Sequence, residues 1–230
     1  MQIDLNADLG EEVTDDAALL ALVTSANVAC GHHAGTDATM RQVCAAAAEL
    51  GVRVGAHVSY ADRENFGRVP HDVEPRVLAE QVADQVGTLA AHAAAAGTRV
   101  SYLKPHGALY HRVNTDSVQA AAVLDGVEAA GPPLPVLGMD GALADLAAAR
   151  GLVRWREGFP DRGYTAAGTL VPRGEPGALV SATEQIVANA RTLAARVDSL
   201  CLHGDSPGAV EHAAAVRAAL VQAGWTVQAP

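Results

Sequence analysis

Short runs rich in β-branched residues alternate along this chain with longer alanine-rich segments, and that alternation restricts the fold more than any other feature. Extended runs are expected at 2–6, 25–29, 52–56, 99–104, 134–138, 153–157 and 198–203. Helices are expected between them at 15–23, 37–50, 74–96, 116–130, 141–150 and 183–195, with a last helix at 208–223 and a terminal extended piece at 225–228. Gly51, Gly97, Gly131, Gly151 and Gly224 each stand just past a helical pattern, where a helix C-terminus favours glycine. Repeated strand–helix units build a parallel sheet covered by helices. Seven of them fit an α/β fold closed as a seven-stranded parallel (β/α) barrel, although an open doubly wound sheet would show the same spacing.

With 230 residues, 50% of them hydrophobic, the chain can bury roughly 70% of its unfolded surface. No composition shift or Pro/Ser-rich linker divides it, so one domain over 1–230 is expected. The stretch 165–181, containing Pro172, Gly174, Pro176 and Gly177, is too long for an ordinary turn. It reads as a lid beside a site or a contact surface for a partner.

The net charge of −10 argues against nucleic-acid or anionic-membrane partners, which need a basic surface. The acidic start MQIDLNADLGEE has no signal-peptide pattern, and no apolar run is long enough to span a bilayer. Cys30, Cys44 and Cys201 form no CxxC and read as reduced, buried thiols of a soluble cytoplasmic protein. Among 16 basic residues Lys104 is the only lysine, which suggests a task for a compact ammonium that arginine does not fill.

In parallel barrels chemistry gathers where strands end. Here the first strand leads to Asn6, Asp8 and Glu11; the second to Asn27, His32 and His33; the third to His57, Ser59, Asp62 and Arg63. The fourth ends in Lys104 and His106, the sixth in Glu157, Asp161 and Arg162, and the seventh in His203 and Asp205. His32 and His33 are adjacent, so at most one faces the site. Asp37, Asp116 and Asp140 read as helix caps, and His71, His92 and His212 as surface or helix-face residues. The motifs GxxxxGK[ST], GxGxxG, HExxH, GxSxG and CxxC are absent, which removes Walker-type, dinucleotide, zincin, α/β-hydrolase and thioredoxin-like readings.

The segments DLNADLGE (4–11), SANVACGHHAG (25–35), GAHVSYADRENFGR (55–68), KPHGALY (104–110), FPDRGY (159–164), LVPR (170–173) and CLHGD (201–205) together resemble the LamB/YcsF family. The chain departs from the family pattern at His32, Thr36, Val58 and His111. The resemblance implies a seven-stranded barrel similar to that of polysaccharide deacetylases. It also implies the role of the A subunit in an ATP-dependent 5-oxoprolinase, which cleaves 5-oxo-L-proline to L-glutamate together with subunits B and C. Water attack on a lactam needs its carbonyl oxygen activated and its nitrogen protonated. On that reading Lys104 neutralises charge on the lactam oxygen or a phosphate, with Arg162 assisting. Asp8, Glu11 or Asp161 orient water, and His57, His106 or His203 move protons. Asn6, Asn27, His33, Ser59, Arg162 and Asp205 would bind substrate, ATP would be the co-substrate, and a homo-oligomer is left open. Deacetylase-like barrels add the option of a divalent metal, magnesium or zinc, on Asp8, His57 and His106. Three rivals remain: a metal-dependent N-deacetylase acting on a carbohydrate-like substrate, a non-catalytic substrate-binding subunit, and, last, a Schiff-base lyase using Lys104.

Overall fold

A computed structural model describes residues 1–230. The strands are β1 (Gln2–Leu9), β2 (Ser25–Ala29), β3 (Arg53–Val58), β4 (Val100–Pro105), β5 (Val136–Gly138), β6 (Arg154–Gly158), β7 (Ser199–Leu202) and a short β8 (Thr226–Val227). The helices are α1 (Asp16–Leu20), α2 (Asp37–Leu50), α3 (Pro75–Ala95), α4 (Gly107–Thr115), α5 (Ser117–Ala130), α6 (Ala142–Ala149), α7 (Thr183–Ala194) and α8 (Ala209–Gln222). Strands β1 to β7 pair in sequence order, all parallel, and β7 and β2 both pair with β1, which closes the barrel. The closed form, not the open sheet, is therefore the fold. Strand β8 adds to the start of β1 through Gln2 and Ile3.

Alternation along β1 decides what lies inside. Ile3, Leu5, Ala7 and Leu9 join the apolar core shared with the helices, together with Leu19, Val43 and Leu220. Asp4, Asn6 and Asp8 turn the other way, into the barrel. There Asp4 accepts hydrogen bonds from Thr24, Ser25 and Ser199, and Asn6 donates to Ser199 and accepts from Asn27. The barrel is thus packed with a hydrogen-bonded polar column where bulky aliphatic layers are more usual. Tyr102 crosses this interior to donate to Asn27 Oδ1 at 2.6 Å. Gly55 leaves room for its ring, since a Cβ there would lie 2.2 Å from two ring atoms.

Helix α4 departs from the expected helix set. Its residues GALYHRVNT include glycine, tyrosine, histidine, valine, asparagine and threonine, most of them weak helix formers. It is held instead by burial of Ala108, Leu109, Tyr110 and Val113. Of the three expected caps, Asp116 caps α5, accepting from the amides of Val118 and Gln119. Thr36 caps α2 in place of Asp37, which pairs with His92; α6 starts at Gly141, and Asp140 pairs with Arg154. His212 is buried on α8, whereas the three cysteines are free and buried, as expected. No helix is long and apolar enough to cross a membrane.

Candidate active site

The strand ends converge on a cavity of about 520 Å³ lined by Asp8, His57, Lys104, His106, Arg162 and His203 among others. At its floor Glu11, His33, His57 and His106 come together, all buried, with one ligand atom from each within 4.8 Å of the rest. Their hydrogen bonds fix what they present. His57 Nδ1 faces the Lys104 carbonyl at 3.1 Å and His106 Nε2 the Phe66 carbonyl at 2.9 Å. A carbonyl only accepts, so both nitrogens carry hydrogen. His33 Nδ1 lies 3.0 Å from Ser59 Oγ, whose own hydrogen goes to the Tyr60 carbonyl, so this nitrogen donates as well. The remaining nitrogens are therefore lone pairs. His57 Nε2 and His106 Nδ1 stand 3.0 Å apart, His33 Nε2 is 3.2 Å from Glu11 Oε1, and His106 Nδ1 is 3.5 Å from the same oxygen. Acceptors face acceptors, an arrangement that calls for a cation or a proton among them.

The electrostatics agree with neutral imidazoles. Burial, reinforced by His57, pushes His33 well below its ordinary pKa; burial with His33 and His57 does the same to His106. Burial and the carboxylates of Asp8 and Asp205 hold Glu11 well above its usual range. Three neutral imidazoles and a carboxylate fit a zinc-type ion, whereas magnesium prefers an oxygen octahedron. The set differs from the triad expected from sequence: Glu11 and His33 belong to it. Asp8, although 3.4 Å from His57 Nε2, is held by Lys104 at 3.1 Å and Asn27 at 2.8 Å.

The solitary lysine does not reach toward solvent. Lys104 is 2% exposed and lies 2.8 Å from Glu157 Oε1, 3.1 Å from Asp8 Oδ1, 3.3 Å from Asn6 Oδ1 and 3.1 Å from Cys201 Sγ. Burial alone would favour the neutral amine, but Asp8 and Glu157 outweigh it and raise Lys104 well above its ordinary value. Burial likewise opposes ionisation of Asp8, and Lys104 with His57 overcomes it, so Asp8 is held well below the carboxylate range. A lysine locked as an ammonium is a poor Schiff-base nucleophile.

On the opposite wall His203 Nδ1 lies 2.9 Å from Asp161 Oδ2, the His203 amide donates to the same carboxylate, and the ring stacks on Phe159. Burial raises Asp161, but His203 and then Arg162 lower it more, leaving it below its ordinary value.

Several sequence-derived roles change. Asn6, Asn27 and Ser59 are 0% exposed, and their polar groups are spent on neighbours, so they position Lys104, Asp8 and His33 and do not touch a ligand. Arg162 donates from Nε to the Ala178 carbonyl and from Nη2 to that of Val171, which pins the 165–179 loop. That loop is the lid, since Leu170, Pro172 and Arg173 line the cavity. Asp205 bridges Arg68 and Arg173 at the rim. Of the two adjacent histidines only His33 faces the site; His32 points toward Asp84 at 3.9 Å. Sequence reading missed Arg68, Phe66 and Arg173. Phe66 carried a signal in the NFG turn: it adopts φ 57 before Gly67 at φ 66, which aims its carbonyl at His106.

A family model described as the LamB/YcsF family matches residues 3–230. Curated relatives named as the A subunit of 5-oxoprolinase, from Streptomyces avermitilis and Mycobacterium avium, are 55% and 49% identical, over 99% of this chain and 99% and 98% of theirs. The solved lactam utilization protein from Thermus thermophilus is 35% identical with a TM-score of 0.93, covering 100% of both chains. A family 4 carbohydrate esterase from Streptomyces lividans is 12% identical with a TM-score of 0.55, covering 98% of this chain and 91% of its own, and so shares the fold alone. By sequence match along nearly its whole length, the chain belongs to the LamB/YcsF family.

Proposed function

We propose that this chain is the lactam-opening subunit of an ATP-dependent 5-oxoprolinase, cleaving 5-oxo-L-proline to L-glutamate together with subunits B and C. The observation that carries the reading is the meeting, on one cavity, of an acceptor-only cluster, an ionised Asp8 and a His–Asp pair. The relatives named as the 5-oxoprolinase A subunit supply the substrate and the partners.

Each group has a part. A zinc-type ion on Glu11, His33, His57 and His106 would supply Lewis-acid polarisation of the lactam carbonyl. Asp8, kept ionised by Lys104, accepts a proton from the attacking water. Lys104 is thereby a positioning residue, in contrast to the oxyanion partner expected from sequence. His203 lines the cavity with Nδ1 committed to Asp161, so its Nε2 is the nitrogen available to protonate the leaving ring amide. ATP is consumed by the assembly; the glycine-rich Walker cradle is absent from this sequence.

The same donor set in a deacetylase-like barrel supports a second reading, metal-dependent N-deacylation without ATP. The assay that separates them measures glutamate and phosphate released from 5-oxoproline and ATP by this chain, with and without subunits B and C. Glutamate release only from the full mixture supports the first reading. Amide cleavage by the chain alone, without ATP, supports the second.

A further inference from the structure

The whole chain carries a net charge of −10, yet the cavity wall is reversed in sign: Arg68, Arg112, Arg162, Arg173 and Lys104 line it against the single carboxylate of Asp8. Most of these cations are spent. Lys104 is matched by Asp8 and Glu157. Arg112 pairs with Asp116 at 2.7 Å and Asp72 at 3.4 Å, and Arg162 is turned to backbone carbonyls. Arg68 and Arg173 remain, and they share one partner, Asp205, which leaves a positive charge in excess at the rim. They come from different loops, Arg68 from that after β3 and Arg173 from the lid. Arg68 lies over the Phe66 ring at 4.8 Å, which orients its guanidinium.

We propose that Arg68 and Arg173 form an anion-binding subsite in the outer cavity, which takes a carboxylate or phosphoryl group on the ligand whose amide reacts at the histidine floor. Size supports a ligand with such an extension. A cavity of about 520 Å³ lies in the range that encloses drug-sized molecules, and a bare five-membered lactam on the floor leaves the space beneath the arginines unfilled. The field of these cations is felt by their neighbours. Burial, then Arg162 and Arg173, push His111 below its ordinary pKa; burial, then Arg173, do the same to Arg162. Guanidinium pairs suit both oxyanions because each offers parallel oxygens. The anion is either the carboxylate that 5-oxoproline already bears or a phosphoryl group placed on the lactam by an ATP-using partner. Only the identity of the reacting group rests on the lactam-opening reading.

Calorimetric titration of the purified chain with inorganic phosphate, 5-oxoproline and the uncharged 2-pyrrolidinone tests this, using wild type, Arg68→Gln, Arg173→Gln and Asp205→Asn. Each arginine variant is expected to weaken anion binding about tenfold or more, while Asp205→Asn, which frees both guanidiniums, strengthens it. Loss of a preference for 5-oxoproline over 2-pyrrolidinone in the arginine variants assigns the subsite to the carboxylate. Phosphate binding that responds while both lactams bind equally assigns it to a phosphoryl group. Phosphate binding that responds while neither lactam binds sinks the lactam reading and leaves the subsite standing. Anion affinity unchanged in both arginine variants, or absent from folded wild type, overturns the subsite.

Discussion

His57 Nε2 and His106 Nδ1 stand 3.0 Å apart with no hydrogen between them to share, because each ring spends its N–H on a backbone carbonyl. A cluster built this way is prearranged for a cation. Equilibrium dialysis against zinc should find one ion per chain, and His33→Ala or His106→Ala should weaken binding by at least about tenfold. Removing the ion with a chelator should lower Tm, since a ligand that binds only the folded state stabilises it. Equal zinc uptake by wild type and His106→Ala would count against the donor set.

Lys104→Met is expected to do more than stop turnover. It strands Asp8 and Glu157 as buried carboxylates with no counter-charge, a situation that costs about 3–5 kcal/mol. Denaturant unfolding should show that loss, and adding Glu157→Gln should restore part of it. A Lys104→Met protein as stable as wild type would contradict the ion-pair arrangement.

Much of this architecture was legible in the sequence. Strand β2 and helix α2 were located to the residue because the patterns of 25–29 and 37–50 end at sharp signals, such as Gly51. Polar residues at strand ends pointed to the right rim because parallel barrels place those ends together. Whether Asp8 or Glu11 joins the histidines was not legible. Glu11 lies past the end of β1, after Gly10 at φ 72, where strand alternation no longer sets side-chain direction. The buried roles of Asn6, Asn27 and Ser59 were hidden for a related reason: a polar residue in a barrel strand reads the same whether it meets a ligand or another side chain.

Gly55→Ala should be severely destabilising. The new methyl would overlap the Tyr102 ring, which is itself fixed by its hydrogen bond to Asn27. Overpacking of this kind costs about 1–3 kcal/mol or more. Thermal melts should place Gly55→Ala well below wild type, and Tyr102→Leu in the same chain should recover part of the difference. An unchanged Tm would mean that the ring has somewhere else to go.

The lid depends on Arg162. Arg162→Lys keeps the charge but cannot donate to the carbonyls of Val171 and Ala178 together. Limited proteolysis should then cut within 165–179 faster than in wild type, with the barrel left whole. Identical cleavage rates would show that the loop is held by other contacts.

Asp161 gives a pH prediction with a definite sign. Its pKa is lower folded than unfolded, so it adds stability above the unfolded value of about 3.9 and loses it as pH falls through the folded value. The acid-side fall in Tm below about pH 4 should therefore be steeper in wild type than in Asp161→Asn. Parallel curves would remove the His203–Asp161 pair from the account.

The central claim is that lactam opening occurs on this chain, and glutamate release by the reconstituted assembly tests it most directly. With 5-oxoproline, ATP and subunits B and C, Asp8→Asn and His106→Ala chains that still fold and assemble should release glutamate at least about a hundredfold more slowly than wild type. Glutamate release at the wild-type rate with either variant would place the chemistry elsewhere in the assembly and contradict the account.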